Sequence, residues 1–141
     1  MSKTIVLLAM AALFITACNK QNASPESPVD EMPDTSTYAL KYSGAFMQGH
    51  EGTVMGTANM YESVGKYQLE LKDFSVTNGP DLHVYLSKEI MPVHFIDLGK
   101  LKSTMGNQLY EVPGMPDFTE YKYALIHCQQ YNVLFGSSEL K

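Results

Sequence analysis

Two cysteines and four histidines carry most of the reactive chemistry in this chain: Cys18, Cys128, His50, His83, His94 and His127. A thiolate combined with an imidazole or a thioether would suit copper or haem iron. Cys128 stands in "YALIHC", a run that reads as a strand. Neighbours on a strand point to opposite faces, so Cys128 shares a face with Ile126 and Ala124, and His127 with Leu125 and Tyr123. Without a bulge, Cys128 and His127 do not bind one metal together. A partner for Cys128 has to come from another strand, and the metal candidates are Cys128, His50 and His83, with His94 or a methionine behind them. A blue-copper site would place a histidine and a methionine soon after the cysteine. Here "CQQYNVLFGSS" has neither. CxxC, HxxxH and CxxCH are missing too, which argues against structural zinc and covalently attached haem. Each candidate also has a bland reading. Free cysteine often behaves as a small buried hydrophobe. His83, beside a turn, reads as a surface histidine, and His50 in a Gly-rich loop as a turn residue. His94 follows Pro92 in a loop and carries little information. The methionines are scattered and read as core filler or loop residues.

What Cys128 can do depends on where the chain resides. The N-terminus reads MSKTIVLLAMAALFITACNK. Lys3 is followed by an apolar run, Ile5 to Thr16. It is shorter than the roughly 20 residues that span a bilayer, and it has the length of a signal-peptide core. The run ends in Ile15-Thr16-Ala17-Cys18, which resembles a bacterial lipobox, cut before a cysteine that then carries lipid. This implies palmitate-type acylation of Cys18, a membrane partner through that lipid, and a place in the bacterial cell envelope facing an extracytoplasmic space. With Cys18 acylated, Cys128 is the odd cysteine of an exported protein. It is a buried inert thiol, a reactive thiol, a metal or haem ligand, or half of an intermolecular bridge. The expected organisation is residues 1–17 as lipoprotein signal peptide, 18–37 as lipidated cysteine and flexible linker, and 38–141 as one β domain. The linker "NKQNASPESPVDEMPDTST" is polar and contains Pro25, Pro28 and Pro33. Its length would let it reach roughly 60 Å when fully stretched. Its acidic cluster, Asp30, Glu31 and Asp34, reads as solvating the linker.

Composition removes several function classes. The formal net charge is −5, and −6 once Lys3 is cut away. Arginine is absent, so nucleic-acid binding is not expected, nor a bidentate clamp on phosphate or carboxylate substrates. There is no tryptophan but nine tyrosines. No nucleophile elbow, P-loop or dinucleotide turn is present. "GHEG" lacks the second histidine of a zincin.

The elements that must position Cys128 are strands. "KYQLELKDF" places Tyr67, Leu69 and Leu71 on one face and Lys66, Gln68, Glu70 and Lys72 on the other. "VTNGPD" is a turn centred on Asn78-Gly79-Pro80. "LHVYLS" alternates Leu82, Val84 and Leu86 against His83 and Tyr85. "NQLYEVPG", "YKYALIHC" and "NVLFGSS" follow, and "HFIDLGKLKS" is a weaker strand. "ALKYSGAFM" and "GTVMGTANMY" open the domain, with glycines marking turns or bulges. About eight short strands and no amphipathic helix predict an all-β fold, an antiparallel β-sandwich or barrel.

Four stretches in order resemble the DM-thirteen domain: "SGAFMQGHEGTVMGTANMY", "LELKDFSVTNGPDLHVYLS", "LGKLKSTMGNQLYEVP" and "YKYALIHCQQYNVLFGSSEL". The resemblance runs from about Tyr42 to Leu140. It implies a small extracellular module of electron-transfer systems, of the kind found beside cytochrome-like or DOMON domains. A cysteine at the position of Cys128 is that family's hallmark, and the resemblance implies that it serves as a redox thiol or as a metal or haem ligand. His50 and Gly56 fall on family positions. The residue before the cysteine is usually tryptophan, and here it is His127. The resemblance implies a redox accessory module served by a redox partner protein, with haem, copper or no cofactor, more than a stand-alone enzyme. The alternative is a non-catalytic ligand- or protein-binding lipoprotein domain with an inert Cys128.

Overall fold

The structure is a computed structural model, and it describes residues 22–141. The expected signal peptide and Cys18 lie outside the described residues. Nine strands follow in order: β1 (Val29–Asp30), β2 (Ala39–Gln48), β3 (Val54–Ser63), β4 (Lys66–Val76), β5 (Leu82–Ser87), β6 (Phe95–Lys100), β7 (Met105–Val112), β8 (Tyr123–Cys128) and β9 (Val133–Glu139). Among the described residues there is no helix. The strands form one sheet in the order β1-β7-β4-β3-β2-β9-β8-β5-β6. All pairings are antiparallel except β1 with β7, which is parallel. The sheet curls, so that one face closes on itself and the other looks outward. The fold is all-β, as the alternation predicts.

The inner face is the core. Ala58 and Met60 of β3, Leu69 and Leu71 of β4, Val84 and Leu86 of β5, and Ala124 and Ile126 of β8 are fully buried there. Each large aliphatic side chain so buried stabilises the fold by about 1.5–3 kcal/mol before entropy is counted. Rings close the gaps: Phe46 meets Phe74 edge-on at 5.4 Å, and Phe118 packs on Tyr42 and Tyr67. A smaller outer cluster gathers Tyr85, Leu125 and Leu134, with Tyr123 against it.

The polar face of β4 departs from the simple alternation. Glu70 is buried, because Asn59 of β3 lies directly opposite and donates from Nδ2 to Glu70 Oε2 at 2.8 Å. Ser43 Oγ in turn donates to Asn59 Oδ1 at 2.7 Å. Ser43, Asn59 and Glu70 are direct cross-strand neighbours on β2, β3 and β4, so register alone brings these groups together.

Residues 22–37, read from composition as a linker, run along the sheet. The Asn78 side chain holds Ser24 at both backbone groups: Oδ1 accepts from Ser24 N at 3.1 Å and Nδ2 donates to Ser24 O at 2.9 Å. Asp81 N donates to Asn22 O at 2.7 Å, and Ala23 bridges to Pro80. Val29 and Asp30 pair with Gly106 and Asn107. Glu31, expected to solvate the linker, accepts from Lys102 Nζ and from Leu109 N. Burial opposes its ionised form, but these bonds prevail and hold its carboxyl below the usual range. Polar composition hides this docking because the bonds use backbone groups and need no apolar pattern.

Candidate functional site

One end of the curled sheet collects the loops around Cys128. The β2–β3 loop reaches β9 there, with the backbone N–H groups of Gly49 and His50 donating to Phe135 O and Leu134 O. Gly79, in the β4–β5 turn, lies against the Phe135 ring, where a Cβ would clash with Cζ. The β8–β9 turn follows Cys128 directly, and Gln129 N donates to Asp81 O at 3.0 Å.

Cys128 ends β8 between Leu82 of β5 and Val133 of β9. Its side chain belongs to the inner core together with Ala124 and Ile126, on the face that alternation assigns to it. It is a free thiol with 1% of its surface exposed. It also helps line a pocket of about 280 Å³, walled by Glu51, Pro80, Tyr131, Val133 and Phe135. Cys128 is therefore covered, yet it borders this largely apolar recess. Tyr131 is 64% exposed.

His127 is on the outer face with Leu125 and is almost fully buried. Its Nε2 donates to Asn132 Oδ1 at 2.9 Å, while Nδ1 has no partner. Burial lowers its pKa below the usual histidine value, and the Asn132 bond only partly opposes that. Its ring lies 5.5 Å from Tyr85, which stacks on Phe95 at 4.3 Å. Gln129 Nε2 donates to Tyr85 Oη at 3.1 Å. Burial raises the Tyr85 pKa above its ordinary value. These groups border an outer cleft of about 180 Å³ with Pro92.

His83 corrects the sequence reading of a surface histidine. It is 7% exposed. Its Nδ1 faces both Asp97 carboxylate oxygens at 3.0 and 3.1 Å, and its Nε2 faces Asp81 Oδ1 at 3.1 Å. Both nitrogens are therefore engaged within the protein. Asp81 is local, two residues before His83, but Asp97 comes from β6, fourteen residues away, and only the fold brings it to the ring. His83 and Cys128 lie on opposite faces of the sheet, so the two do not converge on one ion. His50 is exposed in the β2–β3 loop, and its neighbour Glu51 lines the Cys128 pocket. His94 is exposed and bonded through Nδ1 to Glu89 at 2.7 Å. Gly56 has φ +110°, and a Cβ there would crowd Lys72 O, so its role is to allow the kink where β3 shifts register on β4. Among the described residues no group of three or more His, Cys, Asp or Glu side chains is arranged to hold a metal ion.

Compared with models of known families, residues 45–140 match the one described as electron transfer DM13. No curated protein and no solved structure gives a significant match. The matched span begins inside β2 and ends just past β9, so it takes in Cys128 and all the loops around it.

Proposed function

Because this chain belongs to the electron transfer DM13 family, we propose that it is a redox accessory module working through the Cys128 thiol. In this reading Cys18 carries lipid and holds the module on an extracytoplasmic face of the bacterial envelope, with residues 1–17 removed as signal peptide. The observation that carries the redox reading is the position of Cys128. It is unpaired, and it lines a recess built by three loops of the matched domain. Such a thiol loses its proton to solvent, and the resulting thiolate attacks one sulfur of a partner's disulfide and is oxidised as the partner is reduced. The partner S–S bond breaks, a mixed disulfide forms, and the partner's other sulfur leaves as a thiolate carrying the bonding pair. Tyr131, which helps wall the recess and is largely exposed, is a residue that such a partner would meet there. A thiol mechanism asks nothing of His50 or His83, which fits the exposure of His50 and the carboxylates on both His83 nitrogens.

One observation favours a second reading, in which the domain binds or scaffolds and Cys128 only packs. The side chain sits in the core with 1% exposure, and buried cysteine is often inert. Titration separates the two. Under the redox reading the native mature protein reacts with a disulfide reagent at one site, and Cys128→Ser removes the reaction. Under the packing reading the native thiol stays silent until denaturant is added, and Cys128→Ser changes stability alone. A visible spectrum and metal analysis of the same samples would reveal a haem or copper centre, and one that vanished in Cys128→Ser would replace thiol exchange with ligation.

A further inference from the structure

Docking of residues 22–37 changes how the domain is held. If all the residues after Cys18 up to Thr37 were free, the domain could wander over roughly 60 Å. Instead the chain is fixed from Asn22 onward by Asp81, Pro80 and the Asn78 clamp on Ser24. Only four residue steps separate Cys18 from Asn22, a reach of about 14 Å. Asn22 also lies at the loop end of the sheet, beside the Pro80 and Asp81 turn that helps wall the Cys128 recess. The opposite end, with the β3–β4 turn at Val64, is a whole strand length away. β3 has 10 residues from Val54 to Ser63, about 30 Å along the strand.

We propose that the loop end bearing Tyr131, Pro80 and the Cys128 recess is a membrane-apposed surface, and that its partner is the lipid bilayer itself. This rests on the reading of Cys18 as the lipidated residue. A leash shorter than half the length of the domain cannot let the far end turn to the lipid while the near end faces away. The exposed groups suit the contact: Tyr131 is an amphipathic ring of the kind that settles at a membrane interface. Glu51 and Glu26 are at the same end, so attraction to anionic lipid is not what orients the domain; the leash is. A co-reactant of Cys128 then reaches it from the membrane side.

The absence of native tryptophan makes the test direct. Tyr131→Trp and Val64→Trp are made separately in the full lipoprotein, at exposed turn positions, and reconstituted in zwitterionic vesicles with brominated acyl chains. Quenching severalfold stronger at position 131 than at 64 supports the proposal. Inserting a flexible Gly-Ser spacer of about 20 residues after Lys20 lengthens the leash by some 25 Å and should bring the two sites level. Equal quenching without the spacer, in protein that still fractionates with membranes and loses that in Cys18→Ser, overturns the orientation and leaves lipidation standing. Wild-type protein found wholly in the soluble fraction overturns both.

Discussion

Gly106 is the point where β1 rests on β7, and replacing it by alanine should release the N-terminal segment. The residue has φ +102°, a conformation that costs an L-residue about 1–2 kcal/mol. A Cβ there would also overlap the carbonyl oxygen of Val29 and stand 2.7 Å from its nitrogen. These are backbone atoms, so no rotamer change relieves the overlap and Val29 has to move. Moving it breaks the Glu31 N to Asn107 O bond at 2.9 Å and strains those from Leu109 N and Lys102 to Glu31. Net values of about 0.5–1.5 kcal/mol per bond, added to the strain, give a total loss of about 2–4 kcal/mol. Gly114→Ala is the comparator, since it has φ +70° with nothing within 4 Å of a Cβ. It should lose only the conformational part, about 1–2 kcal/mol. Urea denaturation gives the two totals, and amide hydrogen exchange gives their location. In Gly106→Ala, protection at Glu31 should vanish while Leu69 and Leu125 stay protected; in Gly114→Ala, Glu31 should stay protected. Equal stability losses together with an intact Glu31 amide in both variants would refute the steric argument.

Asn59→Ala removes the donor facing the buried Glu70 carboxylate and should cost about 2–4 kcal/mol in urea denaturation, with Glu70→Gln costing less because an amide can still pair there. Acid should destabilise the fold through His127. Its folded pKa is lowered, so below about pH 6.5 the unfolded chain binds a proton that the native state refuses, and stability falls as pH drops from there toward the folded value. His127→Phe should flatten that part of a stability-against-pH curve, and an unchanged slope would count against the burial argument.

Strand positions and their inner faces were legible because Leu69, Leu71, Val84, Leu86 and Ile126 obey a period of two. That same pattern grouped Cys128 with Ala124 and Ile126 and set His127 on the opposite face with Leu125, and the structure shows that the Cys128 group is the inner one. It could not show depth. His83 and Glu70 sit at nominally outward positions, and each is buried by a side chain from another strand: Asp97 for His83, Asn59 for Glu70. Nor could it show the course of residues 22–37, since Asn78 and Gly106 grip that segment by its backbone. The recess beside Cys128 was hidden for a related reason: Glu51, Pro80 and Tyr131 come from three loops that are far apart in sequence.

The ring of Tyr85 has an optical consequence. It is wedged between Phe95 and His127 on the outer face, with its hydroxyl fixed by Gln129. In a chain whose absorption near 280 nm comes from tyrosine, so rigid a chromophore in an asymmetric setting should contribute strongly to near-ultraviolet circular dichroism. That band would be a built-in gauge of side-chain order along β5 and β8, fading in any state that keeps its strands but loosens its packing.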